Sequence, residues 1–312
     1  MLHCYNKIEK HHWGGFIVAR GKTIQLYLMD GVPKGRIKCT LANWTGIAYK
    51  IPRTELEKAK SIDYLKQSGV YFLFSTSDET RDNIAYIGQA GTRKNGEGIL
   101  NRLQEHKRNP EKDYWTEAVA FTTSNNTFGP TEISYLENKF TKLAIDSNRY
   151  EVRNGNEPSQ GHVTEEKEAE LEEFIDYAKI VIGALGYRIF EPIIETLDTS
   201  VISSSVALEP LLTLSINQGK KEATVAKGKQ TSEGFVILKG SRVKPFTMKS
   251  ASAKTLKDRE RANLDADFVL LEDTLFNSPS SAASFVTGSS INGKEAWKDA
   301  KGRSLNEIEK SE

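Results

Sequence analysis

Gly69-Val70-Tyr71-Phe72-Leu73-Phe74 is a nearly unbroken apolar run, and after the polar stretch Ser75–Asn83 it is answered by Ile84-Ala85-Tyr86-Ile87-Gly88. A short run without alternation is the pattern of a strand buried on both faces, and two such runs around a polar connection predict a hairpin with a long loop. Beyond a glycine-rich, basic connection (Gly91, Arg93, Lys94, Gly96, Gly98), Ile99, Leu100 and Leu103 have helical spacing, and Asn109-Pro110 ends that helix. A third strand is predicted over 118–122. A helix opening at Thr131 or Glu132 then carries Ile133, Leu136, Phe140, Leu143 and Ala144 on one face. The clearest helix runs from an N-cap at Thr164 to Ile182, with Glu165, Glu166 and Glu168 at its positive end and Leu171, Phe174, Ile175 and Ala178 in its stripe.

Outward from this centre the chain changes character. Residues 20–60 carry nine Lys and Arg against Asp30, Glu55 and Glu57, and alternate as strands on either side of the Asp30-Gly31 turn signal. They predict a small basic β module, or equally a solvated sheet face with scattered lysines. From about residue 195 to 230 the composition turns to Ser, Thr, Lys and Gly, which predicts a linker. In the last stretch, Gly234–Leu238 and Phe268–Leu271 read as strands, Ser278-Pro279 as a helix start and Asn292-Gly293 as a turn. Between those two strands lies a second basic patch. The domains expected are therefore a basic N-terminal β module at 1–60, a central α/β (α+β) domain at 61–192, a linker at 193–230 and a C-terminal α+β domain at 231–312.

The chain has 312 residues and a net charge of +1, so a nucleic-acid surface would have to come from the distribution of charge rather than its sum. Cys4 and Cys39 are too few for a disulfide scaffold and suit a reducing compartment. His3, Cys4, His11 and His12 with Cys39 match no standard zinc spacing. The first residues have no apolar h-region and no later run reaches about 20 apolar residues, so a soluble, cytoplasmic protein without membrane association is expected.

Gly69-Val70-Tyr71, Tyr86-Ile87-Gly88, Arg102, His106 and Glu137, in that order over about residues 66–155, resemble the GIY-YIG nuclease family. The resemblance implies a three-stranded antiparallel sheet flanked by helices that hydrolyses a phosphodiester with one divalent metal, Mg2+ or Mn2+. The residues agree: Arg102 and His106 are four apart on one helical face, and Glu137 lies within the apolar face of its helix, where an unpaired carboxylate costs several kcal/mol unless a partner or metal resolves it. By resemblance, Glu137 holds the metal, Arg102 stabilises charge on the transition state, Tyr71 takes the proton of the attacking water, and Tyr86 and His106 shape the site or relay protons. An ordinary tyrosine is ionised to about one part in a thousand at pH 7, so Arg102 and the metal are expected to lower the pKa of Tyr71. Gly88, Lys94 and Asn154 are candidate substrate-binding residues.

The sequence departs from the family in Val70, in a long connection before Arg102, and in the asparagine downstream of the glutamate, for which Asn148, Asn154 and Asn156 compete. Structural alternatives stand beside each role: Tyr71 and Tyr86 as sheet-core aromatics, Arg102 with Glu137 as a buried ion pair, His106 as a surface or capping residue. Residues 234–305 resemble an uncharacterised C-terminal domain that often accompanies GIY-YIG nucleases, and residues 30–46 resemble a segment that precedes their core. Trp44 and Trp297 are the aromatic residues expected to stack on nucleic acid beside the basic flanks. The function expected is a metal-dependent DNA endonuclease, with RNA as a possible substrate; the alternative is a non-catalytic nucleic-acid-binding protein of the same fold.

Overall fold

The computed structural model describes residues 21–77, 83–92, 98–155, 161–192, 210–218 and 221–311. The apolar run forms β4 at the heart of a seven-stranded sheet. In chain order the elements are β1 (Ile24–Leu28), β2 (Ile37–Leu41), β3 (Gly46–Pro52), β4 (Gly69–Thr76), β5 (Asn83–Ala90), α1 (Ile99–Arg108), β6 (Glu117–Thr123), α2 (Pro130–Ser147), β7 (Glu151–Val152) and α3 (Glu165–Ala184). The strand order is β1-β2-β3-β6-β4-β5-β7, antiparallel except for the short parallel pair β5–β7. The expected trio β6-β4-β5 is thus present, but inside a larger sheet.

Residues 21–52 are not a separate module. β3 pairs with β6 along its whole length, from Gly46 opposite Thr123 to Pro52 opposite Glu117, so the first three strands extend the central sheet. The lysines that suggested a detached basic unit occupy partly exposed alternate positions such as Lys38 and Lys50, while Cys39, Ala48 and Ile51 between them are fully buried.

The strand period divides β4 between two cores. Val70, Phe72 and Phe74 face Ile133, Leu136 and Phe140 of α2 and Phe174, Ile175 and Ala178 of α3. Tyr71 and Leu73 face Ile99 and Leu103 of α1, Trp115, and the short 3-10 turns carrying Leu56, Ala59 and Leu65. Two glycines permit close approaches. A Cβ on Gly69 would lie 2.1 Å from the Phe121 carbonyl oxygen, and one on Gly98 would lie 2.3 Å from the carbonyl oxygens of Lys66 and Gln67, where α1 begins.

The second unit consists of β8 (Leu212–Gln218), β9 (Lys221–Thr231), β10 (Gly234–Ile237), α4 (Ala253–Arg261), β11 (Thr274–Phe276), α5 (Pro279–Thr287), α6 (Gly293–Ala296) and α7 (Leu305–Ser311), with sheet order β11-β10-β9-β8. Residues 212–218 and 221–230, expected as linker, are strands. Leu212 and Leu214 alternate with Thr213 and Ser215 on a sheet covered on one face, and that alternation reads as polar composition. Phe268–Leu271 is not a strand: Phe268 has φ +61°, and Val269 and Leu270 make isolated bridges to Arg242 and Leu264. At the expected turn, the Asn292 side chain accepts from the Lys294 amide and caps α6. Glu233, in the turn between β9 and β10, receives Arg149 at 2.9 Å and Arg188 at 2.8 Å, tying the second unit to the first.

Candidate active site

Tyr71 is wholly buried on the α1 face of β4, and its hydroxyl lies 2.6 Å from Nε2 of His106, itself only 3% exposed. That bond requires the α1 register read from the sequence, in which His106 falls beneath Leu103. Tyr71, Tyr86 and His106 form a triangle of rings, with centroid separations of 6.3 Å between the tyrosines and 5.4 and 5.3 Å from His106 to each. His106 is therefore neither a surface residue nor a cap.

Gly88 stands opposite Tyr71 in the β4–β5 ladder, and a Cβ there would lie 2.3 Å from the tyrosine hydroxyl oxygen. Its bareness makes room for the phenol; the space expected for substrate is occupied by Tyr71. Asn154 spends its amide on the edge of β5, donating to the Ile87 carbonyl at 2.8 Å and accepting from the Ile87 amide at 3.1 Å. It acts as a one-residue extension of the sheet and positions Tyr86 from next door. Lys94 lies outside the described residues.

Glu137 comes from α2, which packs on the opposite face, and meets the cluster at the β5 edge. Its Oε2 accepts from Nε2 of Gln89 at 2.8 Å. Burial pushes its carboxyl up, while the Gln89 bond and the charges of Arg102 and Lys112 draw it back down. Arg102 does not pair with it; its Nη1 bonds Glu105 one turn along at 2.6 Å. The guanidinium is held charged by Glu105 and by the neighbouring Tyr71 phenol, against the opposing effect of burial.

Sequence reasoning missed Lys112. It ends the 3-10 turn after Pro110, where no periodicity signals an inward side chain, yet its Nζ lies 3.3 Å from the Tyr86 ring centroid. Burial, then the Arg102 charge, pulls it down to about 8. The same forces act on the aromatic bases and acids. His106 is pulled down to about 3 by burial and by Lys112 and Arg102, so its imidazole is neutral at neutral pH. Tyr71 is raised well above 10 by burial and by Tyr86, with Arg102 opposing. The expectation that Arg102 would make this phenol acidic fails because desolvation outweighs the cation. Tyr86 is raised too, by burial and then by the Glu137 charge.

Two phenols, an imidazole, a guanidinium, an ammonium and a carboxylate thus meet in one half-buried site. Among the described residues no three His, Cys, Asp or Glu side chains cluster as metal ligands. The donor set for a cation here is a single carboxylate, Glu137, which suits an ion that keeps most of its water shell and takes phosphate oxygens, as Mg2+ does.

The other aromatic and cysteine candidates are elsewhere. A hollow of about 310 Å³ between α3 and the β3 end of the sheet is lined by Trp44, Phe128, Phe174 and Tyr177, on the face away from Tyr71. Trp44 packs into it against Phe174, with centroids 4.9 Å apart. Trp297 is fully buried, its ring tilted against Phe235 with centroids 4.5 Å apart and its indole N–H donating to the Pro279 carbonyl at 3.0 Å. It is a core residue of the second unit and offers no face to a base. Cys39 is buried, its thiol pushed up to about 11, and the other residues of the zinc reading lie outside the described residues.

Residues 216–309 match the model of a domain family of unknown function, DUF4357, which coincides with the second sheet and its helices and includes none of the tyrosine cluster. No curated protein and no solved structure matches the chain. Among the described residues no helix is long and apolar enough to cross a membrane.

Proposed function

We propose that the chain is a metal-dependent endonuclease that hydrolyses phosphodiester bonds in DNA at the Tyr71–Tyr86–Arg102–Glu137 cluster. The observation that carries this reading is the meeting of those side chains, from two strands and two helices on opposite faces of the sheet, in a site whose charges act on one another. A merely structural pair would leave Arg102 bonded to Glu137. Here each has its own partner, Glu105 or Gln89, which fixes it in place and leaves its charge directed at a common space.

Arg102 stays cationic throughout the working pH range and offsets charge developing on the phosphoryl oxygens. As the water oxygen bonds phosphorus and the P–O bond to the leaving strand breaks, the water gives its proton to the Tyr71 oxygen and the Tyr71 hydroxyl proton passes to Nε2 of His106, 2.6 Å away, in the tautomer that carries its proton on Nδ1, while the leaving oxygen takes a proton from solvent. The relay avoids a free tyrosinate, which the raised pKa of Tyr71 makes costly. Its weak point is the feeble basicity of His106, so the rate rises with pH as the populations of hydroxide and of ionised Tyr71 grow. Glu137 would hold Mg2+ or Mn2+, which when bound supplies positive charge at the scissile phosphate.

The competing reading, a nucleic-acid-binding protein without turnover, draws on the upward shift of Tyr71. Supercoiled DNA incubated with the full chain separates the two. Nicking that needs Mg2+, stops in EDTA, and is lost in Glu137→Ala and Arg102→Ala supports hydrolysis; binding without metal-dependent nicking by the wild type sinks it. Repeating the assay with RNA fixes the polymer.

A further inference from the structure

The turn between α1 and β6 is fixed at both ends and across its middle. Asn109 accepts the Glu111 amide through its side chain at 3.0 Å and the Lys112 amide through its carbonyl at 3.1 Å. Trp115 is buried in the core beneath α1, and the Thr116 amide donates to the Phe74 carbonyl at 2.9 Å. Arg53, just past the end of β3, staples the rest. Its Nη1 donates to the carbonyls of Asp113 and Trp115 at 2.7 and 3.3 Å, and its Nη2 to the Lys107 carbonyl at 3.2 Å and the Asp113 carboxylate at 2.5 Å. One guanidinium thus joins the last turn of α1 to the chain that leads into β6.

What this frame holds in place is Lys112. Its side chain is half-buried, with Nζ 3.3 Å from the Tyr86 ring centroid. The other charged groups of the cluster have polar partners, Glu105 for Arg102 and Gln89 for Glu137. Lys112 differs: among the described residues no oxygen accepts from its ammonium, and the Tyr86 ring is its one close partner. A ring face satisfies one side of an ammonium, and the N–H donors turned away from the ring are left without an acceptor. Burial and the Arg102 charge both act against the cation, and only the Glu137 charge favours it. The free protein therefore gains little from an ammonium fixed there, whereas a bound anion would supply the missing acceptor and offset the repulsion from Arg102.

We infer that Lys112 is a substrate-contacting residue whose ammonium, held over Tyr86 by the Arg53-stapled turn, donates to a non-bridging oxygen of a phosphodiester at the Tyr71 cluster. That the anion is a phosphodiester rests on the nuclease reading; the unfilled donors of Lys112 do not. Arg53 touches no substrate and is a positioning residue that acts through Lys112.

The test pairs fluorescence anisotropy of a labelled DNA duplex of about 20 base pairs with the full chain in EDTA, from about 50 to 200 mM salt, with single-turnover nicking of supercoiled DNA in Mg2+. Lys112→Met keeps the length of the side chain and removes its charge. It should flatten the log–log salt slope by about 0.9, the value for one lost phosphate contact on a duplex, and slow nicking at least about tenfold with an unchanged melting temperature. Lys112→Gln should behave in the same way. Lys112→Arg, whose guanidinium can also lie over Tyr86, should keep the wild-type slope. Arg53→Gln leaves the Lys112 charge in place, so the slope should stay while nicking slows; combined with Lys112→Met it should slow nicking no further. The inference is overturned if the wild type does not bind the duplex, or if folded Lys112→Met keeps the wild-type slope or nicking rate. Losses that multiply in the Arg53→Gln/Lys112→Met variant would overturn the role of Arg53. A wild type whose slope depends on Lys112 but which never nicks would sink the nuclease reading and leave the phosphate contact standing.

Discussion

The two faces of β4 present equally buried side chains and do different work. Val70, Phe72 and Phe74 meet a hydrocarbon layer, where Phe72 packs edge-on against Phe121 and Phe140 at 5.9 and 5.3 Å. Tyr71, one residue along, is as deeply buried, but its surroundings include an imidazole, a guanidinium and an ammonium. Burial in the first case stabilises the fold. In the second it changes acidity, raising the phenol and the carboxylate and lowering the imidazole and Lys112, because every group loses water that its charged form would have kept. One strand thus supplies both the core and a site in which proton positions are set by desolvation.

That contrast is broken most forcefully at Phe72. Phe72→Ala should destabilise the protein by about 3–5 kcal/mol in urea unfolding, with the Mg2+-dependent nicking rate of the remaining folded fraction little changed. Arg102→Ala should do the reverse: nicking falls at least about a hundredfold, as for loss of one preorganised charge donor, while the melting temperature barely moves because its ion pair with Glu105 is partly exposed. If both variants lost stability and rate alike, the two faces would not be separable.

Gly88→Ala lies between these limits. Its methyl would meet the Tyr71 hydroxyl, so a loss of about 1–3 kcal/mol in unfolding free energy is expected together with disturbance of the Tyr71–His106 bond, visible as a shift of the His106 ring resonances in NMR. Unchanged His106 signals would mean that Tyr71 has room to spare.

The most gradual effect is read against pH. The fold refuses a proton on His106 until about pH 3, whereas the unfolded chain accepts it near pH 6.5. The stability that depends on neutral His106 is therefore complete above pH 6.5 and declines by about 1.4 kcal/mol per pH unit below it. His106→Gln should flatten the acid side of the stability profile by that slope; an identical profile in the variant would show that His106 titrates normally.

Much of this was legible in the sequence, for local reasons. The run at Gly69–Phe74 announces a doubly buried strand, Asn109-Pro110 ends α1, and Thr164 accepts the Lys167 amide as the cap of α3. Arg102 and His106 share a face because four residues make about one turn, and Glu137 interrupts an apolar stripe. What escaped depends on long-range pairing or irregular backbone. The β3–β6 ladder joins residues more than sixty positions apart, which made a module of what is a sheet extension. In the β8–β9 hairpin Thr213, Ser215 and Lys227 alternate with buried Leu212, Leu214 and Ala226, which gives the stretch the composition of a linker. Lys112 points inward from a turn with no period, and Trp297 was judged by its type while its indole is spent on Pro279.

The central claim is that Arg102 and Glu137 act with the tyrosines as one hydrolytic unit. Single-turnover nicking of supercoiled DNA at saturating Mg2+ by Arg102→Ala, Glu137→Ala and the double variant tests it directly. A single unit predicts that each single variant loses most of the rate and that the double variant is hardly slower than either. Single variants that nick at the wild-type rate would contradict the account.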